Sequence, residues 1–270
     1  MRDEVALAKI IESQRRWAAL RSISLDSHGR TTGLDANLFT PLSDETLNDF
    51  KDGAGNELDG DLRSLRSSAA LACNVFEPWK RVGPGRIAEA CGCDPAATSL
   101  RFERKFPTGL SGTAPHLDVV IDGSGTTPIA IESKFAEIYD EIHNEFAESY
   151  FDREDIWKGL AGCRAVAESI RTKQIKLERL GAAQLVKHAL GLQRKYGPRG
   201  FRLLYLWYEV PGDAARKHRS ELATFEGAVG GELDFASLTH QELFVRLERL
   251  AGDRSDYLSY LRERYFMPFV

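Results

Sequence analysis

Two acidic residues and a lysine have the types and the spacing that a metal-dependent hydrolysis requires. Asp118 lies at the start of one apolar segment, and Glu132 and Lys134 lie at the end of the next. Carboxylates are oxygen ligands for hard cations such as Mg2+. Because side chains alternate along a strand, Lys134 points to the same face as Glu132, two residues before it. Two carboxylates and a cation at one point are suited to hydrolysing a phosphodiester.

The segments that carry these residues are predicted to form two strands of a hairpin. Residues 117–122 and 128–134 are joined by a turn rich in glycine, serine and threonine, residues 123–127. Alternation of apolar and polar side chains is typical of strands. The apolar side chains fall on the face opposite the acids: Leu117, Val119, Ile121, Ile129 and Ile131. We therefore expect one apolar face and one face that carries the acids.

The turn sets the register of this hairpin. With the turn centred on Gly125, Asp118 lies opposite Glu132, and His116 lies opposite Lys134. Opposed Cβ atoms lie about 4.5–5.5 Å apart, so two carboxylates there need a cation between them or a raised pKa on one of them. A shift by one residue would place the two acids on opposite faces. The alternative is that both acids are solvent-facing residues of an edge hairpin.

The composition is that of a folded protein without a membrane span. Of 270 residues, 43% are hydrophobic and 28% are charged, which suits one large domain or a domain with an added layer. Acids at positions 3 and 4 argue against a signal peptide. No apolar run reaches the roughly 20 residues that span a bilayer. We expect a cytoplasmic protein with no membrane partner.

Cysteine spacing and net charge argue against two further classes of protein. The four cysteines, at positions 73, 91, 93 and 163, form no CxxC pair and no zinc spacing, so we expect reduced thiols. A net charge of −4 argues against a protein that coats nucleic acid non-specifically. It is compatible with an enzyme that binds DNA through one local basic surface.

The order of elements predicts an α/β fold, a mixed central sheet flanked by helices. After a first helix, a loop-rich segment is expected over residues 25–62. Helices are expected over 3–22, from after Ser64 to before Pro78, 86–92, 136–170, 173–196, 213–228 and 239–264. Strands are expected over 100–106, 117–122, 129–134 and 201–210. The last strand is nearly all apolar and aromatic, which is typical of a strand at the centre of a sheet.

The site residues and their order resemble a known superfamily of nucleases. The spacing Pro115-(x2)-Asp118-(x13)-Glu132-Ser133-Lys134 follows a helix and a strand and precedes a helix and an aromatic strand. It resembles the PD-(D/E)XK superfamily, the restriction-endonuclease-like nucleases with an αβββαβ core. The sequence departs from the pattern in that two residues separate the proline from the aspartate.

The resemblance implies a domain organisation. The nuclease-like core would cover residues 64–210 of a single domain that comprises the whole chain, 1–270. Residues 1–63 would be a helical and loop extension, and residues 211–270 a C-terminal helical region.

The resemblance also implies roles for the site residues. Asp118 and Glu132 would bind Mg2+, with Mn2+ able to substitute, and the backbone carbonyl of Ser133 would be a third ligand. Lys134 would orient the attacking water or help to deprotonate it, and would stabilise charge at the phosphate.

Many such nucleases carry a further acid on the first helix or the first strand. Glu103, on the first strand, is the first candidate, and Glu77, at the end of the preceding helix, is the second. Either could instead be an exposed charge. His116, beside the site, would be a phosphate contact or a ligand, or else a loop histidine satisfied by local hydrogen bonds.

A helix after the catalytic strands carries a polar stripe. Gln184, Lys187, His188 and Gly191 fall at positions i, i+3, i+4 and i+7. The segment from Gln184 to His188 resembles the Q-x-x-x-Y element of one exonuclease-like branch, with histidine in place of tyrosine. Such a stripe would reach the phosphate next to the metal. The alternative is an ordinary polar helix face.

These features together predict a Mg2+-dependent endonuclease that acts on nucleic acid, with DNA as the expected substrate. Because cutting two strands with this fold commonly takes two active sites, a homodimer is one expected form. The alternative function is a catalytically silent module that keeps the nuclease fold to bind nucleic acid or a protein partner. A third interpretation is a metal-dependent phosphohydrolase that acts on a small substrate.

Overall fold

A five-stranded mixed sheet forms the centre of the computed structural model, which describes residues 3–53, 57–58 and 60–266. The strands lie in chain order: β1 (Ser99–Lys105), β2 (His116–Asp122), β3 (Ile129–Lys134), β4 (Arg202–Trp207) and β5 (Asp234–Thr239). β1, β2 and β3 pair antiparallel, and β3, β4 and β5 pair parallel. The predicted α/β class with a mixed sheet is confirmed. β4 lies between two strands, as its apolar sequence indicated.

Helices cover both faces of this sheet. Within the described residues they are α1 (Glu4–Leu20), α2 (Asp44–Asp52), α3 (Ser68–Lys80), α4 (Gly85–Ala90), α5 (Ala161–Arg171), α6 (Ala182–Tyr196), α7 (Asp213–Val229), α8 (His240–Leu250) and α9 (Ser255–Leu261). Side-chain caps explain several starts, because Ser43, Ser67 and Thr239 accept backbone N–H groups in the first turns of α2, α3 and α8. Across the described part of the chain, no helix has the length and apolar character needed to cross a membrane.

The alternation of β-strand side chains assigns the helices to two layers. On one face, Phe102 of β1 stacks on Phe50 of α2 with ring centroids 5.9 Å apart. On the other face, Tyr205 of β4 packs on His218 of α7 with centroids 5.6 Å apart. The apolar core is contiguous from α1 to the segment after α9. The fold is therefore an α/β sandwich whose sheet is buried on both sides.

The first helix of the predicted core does not end before Pro78. α3 continues to Lys80 with the proline inside it. A proline in a helix interior costs roughly 3 kcal/mol, since it removes one backbone hydrogen bond and crowds the preceding turn. Burial of Phe76 and Trp79, which are 0% and 1% exposed, offsets this cost. The Trp79 indole also donates to the Tyr257 hydroxyl at 3.1 Å.

The predicted helix over residues 136–170 is wrong in its first part. Residues 136–160 form an irregular segment with short 3-10 turns, and α5 begins only at Ala161. This segment is held by tertiary hydrogen bonds instead of a helical repeat. The Asn144 side chain donates to the carbonyls of Leu177 and Leu180 and accepts from the N–H of Ala183, in the first turn of α6.

Two elements were not predicted. α2 lies in the segment expected to be loop, although Ser43 followed by two acids is a helix-start pattern. β5 lies in the region expected to be helical, because a six-residue strand carries little periodicity of its own. Its parallel pairing with β4 decides its conformation.

A buried aspartate ties α2 to the edge strand of the sheet. Asp49 is 4% exposed, and its carboxylate accepts from Nε of Arg101 at 2.9 Å and from the N–H of Phe102 at 3.1 Å. Burial alone would raise the pKa of Asp49, but the Arg101 guanidinium and the Phe102 N–H outweigh it and hold the pKa below its usual value.

The substitution Asp49→Asn should destabilise the protein by about 2–3 kcal/mol, because it breaks a charge-assisted bond and leaves a buried polar group badly paired. The lowered pKa means that this stability is present above pH ~4 and is lost as the pH falls through the folded-state pKa. Urea unfolding at pH 7 and at acid pH measures both effects. Asp52→Asn, an exposed position of the same helix, is the control and should change stability little. An equal loss at both pH values would contradict the assignment.

Candidate active site

Backbone pairing between the strands of the sheet is interrupted at Asp118. The predicted register of the hairpin is confirmed, because β2 and β3 pair as Val119 with Ile131, Val120 with Ala130 and Ile121 with Ile129. The ladder stops before Asp118, whose Oδ2 accepts the N–H of Ser133 at 2.6 Å.

The β1–β2 ladder omits the same level of the sheet. It pairs Phe102 with Val119 and Arg104 with Leu117, and it skips Glu103, the residue between them. Glu103 has φ 46°, a left-handed conformation that is uncommon for a residue with a side chain. Regular backbone pairing is thus lost on both sides of Asp118. The side chains at this level are therefore not restricted to the orientations of a regular pleated strand.

The expected pairing of His116 with Lys134 does not form, because the β2–β3 ladder ends first. His116 pairs with Lys105 of β1, and its Nδ1 lies 3.8 Å from Oε2 of Glu103. The other ring nitrogen, Nε2, is buried and has no hydrogen-bond partner among the residues that the structure describes.

The acids are not solvent-facing residues of an edge hairpin. β3 lies inside the sheet, and Glu132 and Ser133 are 1% and 0% exposed. Glu132 is therefore covered, whereas Asp118 is half-buried and borders a cleft. The Ser133 hydroxyl lies on the opposite side, 3.1 Å from Nε2 of His240 in α8.

Glu132 is the centre of a buried charge cluster. Nζ of Lys134 lies 2.5 Å from its Oε1, and Nε2 of His188 in α6 lies 2.9 Å from its Oε2. The contact with His188 is close but not aligned as a hydrogen bond, so Oε2 has no hydrogen-bond partner within the described ranges. Tyr205 pairs with Glu132 across the parallel strands, and its buried hydroxyl has no partner there either.

The pKa values of the acids are driven apart. Burial and the charge of Glu132 raise the pKa of Asp118 well above its usual value. Burial also acts to raise the pKa of Glu132, but Lys134 and His188 outweigh it and lower that pKa. Burial and the charges of Asp118 and Glu57 raise the pKa of Glu103. The site therefore holds more carboxylates than it has cations to balance them.

A cleft of about 680 Å3 leads to Asp118. Glu57 and Asp61 line it together with Asp118, and one carboxylate oxygen of Glu57 is buried without a hydrogen-bond partner in the described structure. Glu57 was not predicted. It lies in the N-terminal loop segment, where no periodicity signals a function, and only the tertiary fold brings it to the site.

Three of the predicted site residues lie apart from this cluster. Glu77 is buried, but its carboxylate accepts from the Ser43 N–H at 2.8 Å and the Thr46 hydroxyl at 2.7 Å, so it holds the start of α2. Gln184 is exposed. Lys187 donates to the Glu145 carbonyl at 3.0 Å.

The residues of α6 therefore do not share one polar face. His188 is 1% exposed and reaches Glu132, whereas the other two polar side chains of the stripe point elsewhere. Gly191 lets the helix approach the sheet closely, because a Cβ at this position would lie 2.1 Å from the carbonyl oxygen of Phe106. The glycine thus fixes the distance between α6 and the site.

The carboxylates at the site can be compared with what a metal ion requires. Within the described residues, no group of three or more His, Cys, Asp or Glu side chains is arranged to hold one. Mg2+ commonly binds through one or two carboxylates and keeps several waters. The unpartnered Oε2 of Glu132 and the raised pKa of Asp118 fit such a site, because a cation between the two would relieve their repulsion.

A comparison with protein-family models identifies the family. The model described as Restriction Endonuclease associating with ARP matches residues 24–266. The chain belongs to this family. The match confirms the resemblance to restriction-endonuclease-like nucleases and indicates a nuclease that acts on nucleic acid. A search of curated proteins and a search of solved structures gave no match.

The restriction endonuclease family model extends well beyond the predicted core. It includes most of the N-terminal extension and the C-terminal region with β5 and α8. Both regions also touch the site in the structure, through Glu57 in the cleft and His240 behind Ser133.

The substitution Gly191→Ala should destabilise the protein by at least about 2 kcal/mol, because the new methyl group meets backbone and α6 must move away. Gly227→Ala in α7 is the control: nothing lies within 4 Å of its added Cβ, so removing a helix glycine should stabilise by up to about 1 kcal/mol. Chemical denaturation of both variants gives the comparison. Equal stability of the two variants would show that α6 is not held as described.

Proposed function

We propose that this nuclease is a Mg2+-dependent endonuclease of the PD-(D/E)XK type that hydrolyses phosphodiester bonds in DNA. The observation that supports this most is the adjacent pair of the half-buried Asp118 and the buried Glu132, with the Lys134 ammonium beside it. Like charges in the interior repel and weaken the fold, and for this reason such pairs are found mainly where they do chemistry.

The metal and its ligands are part of this proposal. Asp118, Glu132 and the Ser133 carbonyl would hold Mg2+, with Mn2+ as a substitute. Bound there, the ion would polarise the scissile phosphate and lower the pKa of a bound water.

The chain's own residues then position the reactants. The N–H of Ser133 fixes the Asp118 carboxylate, and His188 holds the orientation of Glu132 from α6. Lys134 places three N–H donors and a positive charge beside the acids, so it can orient the attacking water and stabilise charge on the phosphate. Its side chain is only 18% exposed, which keeps that charge poorly screened.

Three further assignments accompany the activity. We propose DNA as the nucleic acid, and a homodimer as the form that cuts both strands. The four cysteines are free, which suits the reducing cytoplasm. The family description names association with ARP, and we propose the same association for this chain.

Lys134→Ala and Asp118→Asn should each lower the rate of DNA cleavage by at least about 100-fold, because each removes charge from the reacting centre. The measurement is Mg2+-dependent cleavage of plasmid, single-stranded DNA and RNA by the purified protein. Asp122→Asn is the matched control, since this acid lies on the same strand and the same side as Asp118 but at the far end. It should cleave at the wild-type rate.

If wild-type protein cuts no nucleic acid with Mg2+ or Mn2+, or if Lys134→Ala cuts as fast as wild type, the proposal is wrong.

Metal binding should also be detectable in thermal unfolding without any substrate. Mg2+ at about ten times its dissociation constant should raise the melting temperature of wild type by about 2–5 °C, because it binds only the folded state. Asp118→Asn and Glu132→Gln should lose this rise. Without metal, Asp118→Asn should unfold no lower than wild type, because it removes a repelling charge. Glu132→Gln should unfold lower, because it leaves the Lys134 ammonium without its counter-charge. A melting temperature that does not respond to the metal in any of the three proteins would favour the catalytically silent module.

A further inference from the structure

A second cleft lies at the far end of α6 and carries the opposite charge. Its volume is about 750 Å3, and its walls include Lys158, Arg194 and the loop residues Thr108 and Gly109. Its one acid, Asp155, is ion-paired to Arg153, 2.6 Å away. The cleft that leads to Asp118 has two arginines in its walls, Arg30 and Arg66, against six acids: Glu57, Asp61, Asp118, Glu137, Asp140 and Glu141. The two clefts are thus suited to different ligands.

Two cations of the second cleft have no acidic partner in the described part of the chain. Lys158 and Arg194 are both exposed, and neither forms an ion pair with any residue that the structure describes. Lys195, also exposed, follows Arg194 in the same helix. Exposed cations on one surface create a positive potential that attracts a polyanion.

The Arg194 side chain is held in place by a glycine. Gly109 has φ 94°, and a Cβ there would lie 2.8 Å from Nη1 of Arg194. The guanidinium therefore rests directly on the backbone of the loop between β1 and β2. On the other wall, the Gln193 amide donates to the Lys158 carbonyl at 2.6 Å, which joins the segment before α5 to α6. The backbones of the two walls are therefore joined, and the Arg194 guanidinium lies against the loop.

One helix connects this cleft to the candidate active site. His188, which contacts Glu132, and Arg194 are six residues apart on α6, or about 9 Å along the helix axis.

We infer that the cleft of Lys158 and Arg194 binds the phosphodiester backbone of the nucleic acid on one side of the scissile bond. This rests on the proposed function, which places the scissile phosphate at Asp118 and Glu132. Guanidinium and ammonium groups are the usual contacts to phosphate oxygens, and such contacts fix the position of the substrate without reading its sequence. The strand on that side of the scissile bond then passes over the C-terminal end of α6.

The test separates binding from cleavage. Binding of a labelled 30-base-pair duplex and of the same single strand is measured by fluorescence anisotropy with a chelator present, so that no metal-dependent cleavage occurs. The double variant Lys158→Gln/Arg194→Gln should weaken duplex binding on the order of tenfold at ~0.1 M salt. The slope of log affinity against log salt should fall by about 2, one for each phosphate that the variant no longer neutralises.

The matched control removes the same charge elsewhere. Lys9→Gln/Arg249→Gln takes exposed cations from α1 and α8, and it should bind within about twofold of wild type. Unchanged binding by the first variant, equal loss in both variants, or no binding by wild type to either probe overturns the inference.

If wild type binds as described but cleaves nothing with Mg2+, the assignment of the cleft is retained and the proposed nuclease mechanism is wrong. If wild type cleaves and the first variant binds and cleaves equally, the nuclease stands and the cleft fails.

Discussion

The structure depends on how two neighbouring carboxylates are kept inside a sheet. Asp118 and Glu132 lie at one level of β2 and β3, where desolvation and mutual repulsion both oppose their charge. Three protein groups compensate: the Lys134 ammonium, the His188 ring and the N–H of Ser133. Lys134 and Ser133 come with the strand itself. His188 must be brought by a helix, so α6 has to lie close, and this is the reason that position 191 has no side chain.

The same site weakens the sheet locally, and distant contacts compensate for this loss. Backbone pairing is interrupted on both sides of Asp118, and Glu103 takes a left-handed conformation there. Stability comes from elsewhere in the fold. The buried Arg264, after α9, donates to Oε1 of Gln14 at 3.1 Å and to the Asn37 carbonyl at 2.7 Å. These bonds join the segment after α9 to α1 and to the loop that follows it. Asp49 joins α2 to the edge strand β1 in a similar way. Local strain that is compensated by contacts elsewhere in the fold is expected at functional sites.

Charge is separated between two clefts. The acid-rich cleft at Asp118 suits a divalent cation, and the basic cleft at the C-terminal end of α6 suits phosphate. A net charge of −4 is the sum over the whole chain and describes neither surface. The proposed metal ion and a polyanionic substrate make opposite electrostatic demands, and two separate clefts meet them.

The sequence by itself determined the residue types, the order of the core strands and the register of the hairpin. It could do so because strand alternation and a five-residue turn are local features, and the pairs from Val119–Ile131 to Ile121–Ile129 follow from them.

Contacts between segments distant in sequence were decided only by the tertiary structure. β5 forms because β4 offers it an edge, and Tyr205 meets Glu132 through a parallel register that no turn encodes. α6 is buried on most sides, so its 3.6-residue period does not tell which buried side chain faces the sheet. Packing against Phe106 turns His188 inward and leaves Gln184 outside, and the fold of the N-terminal loop brings Glu57 to the cleft.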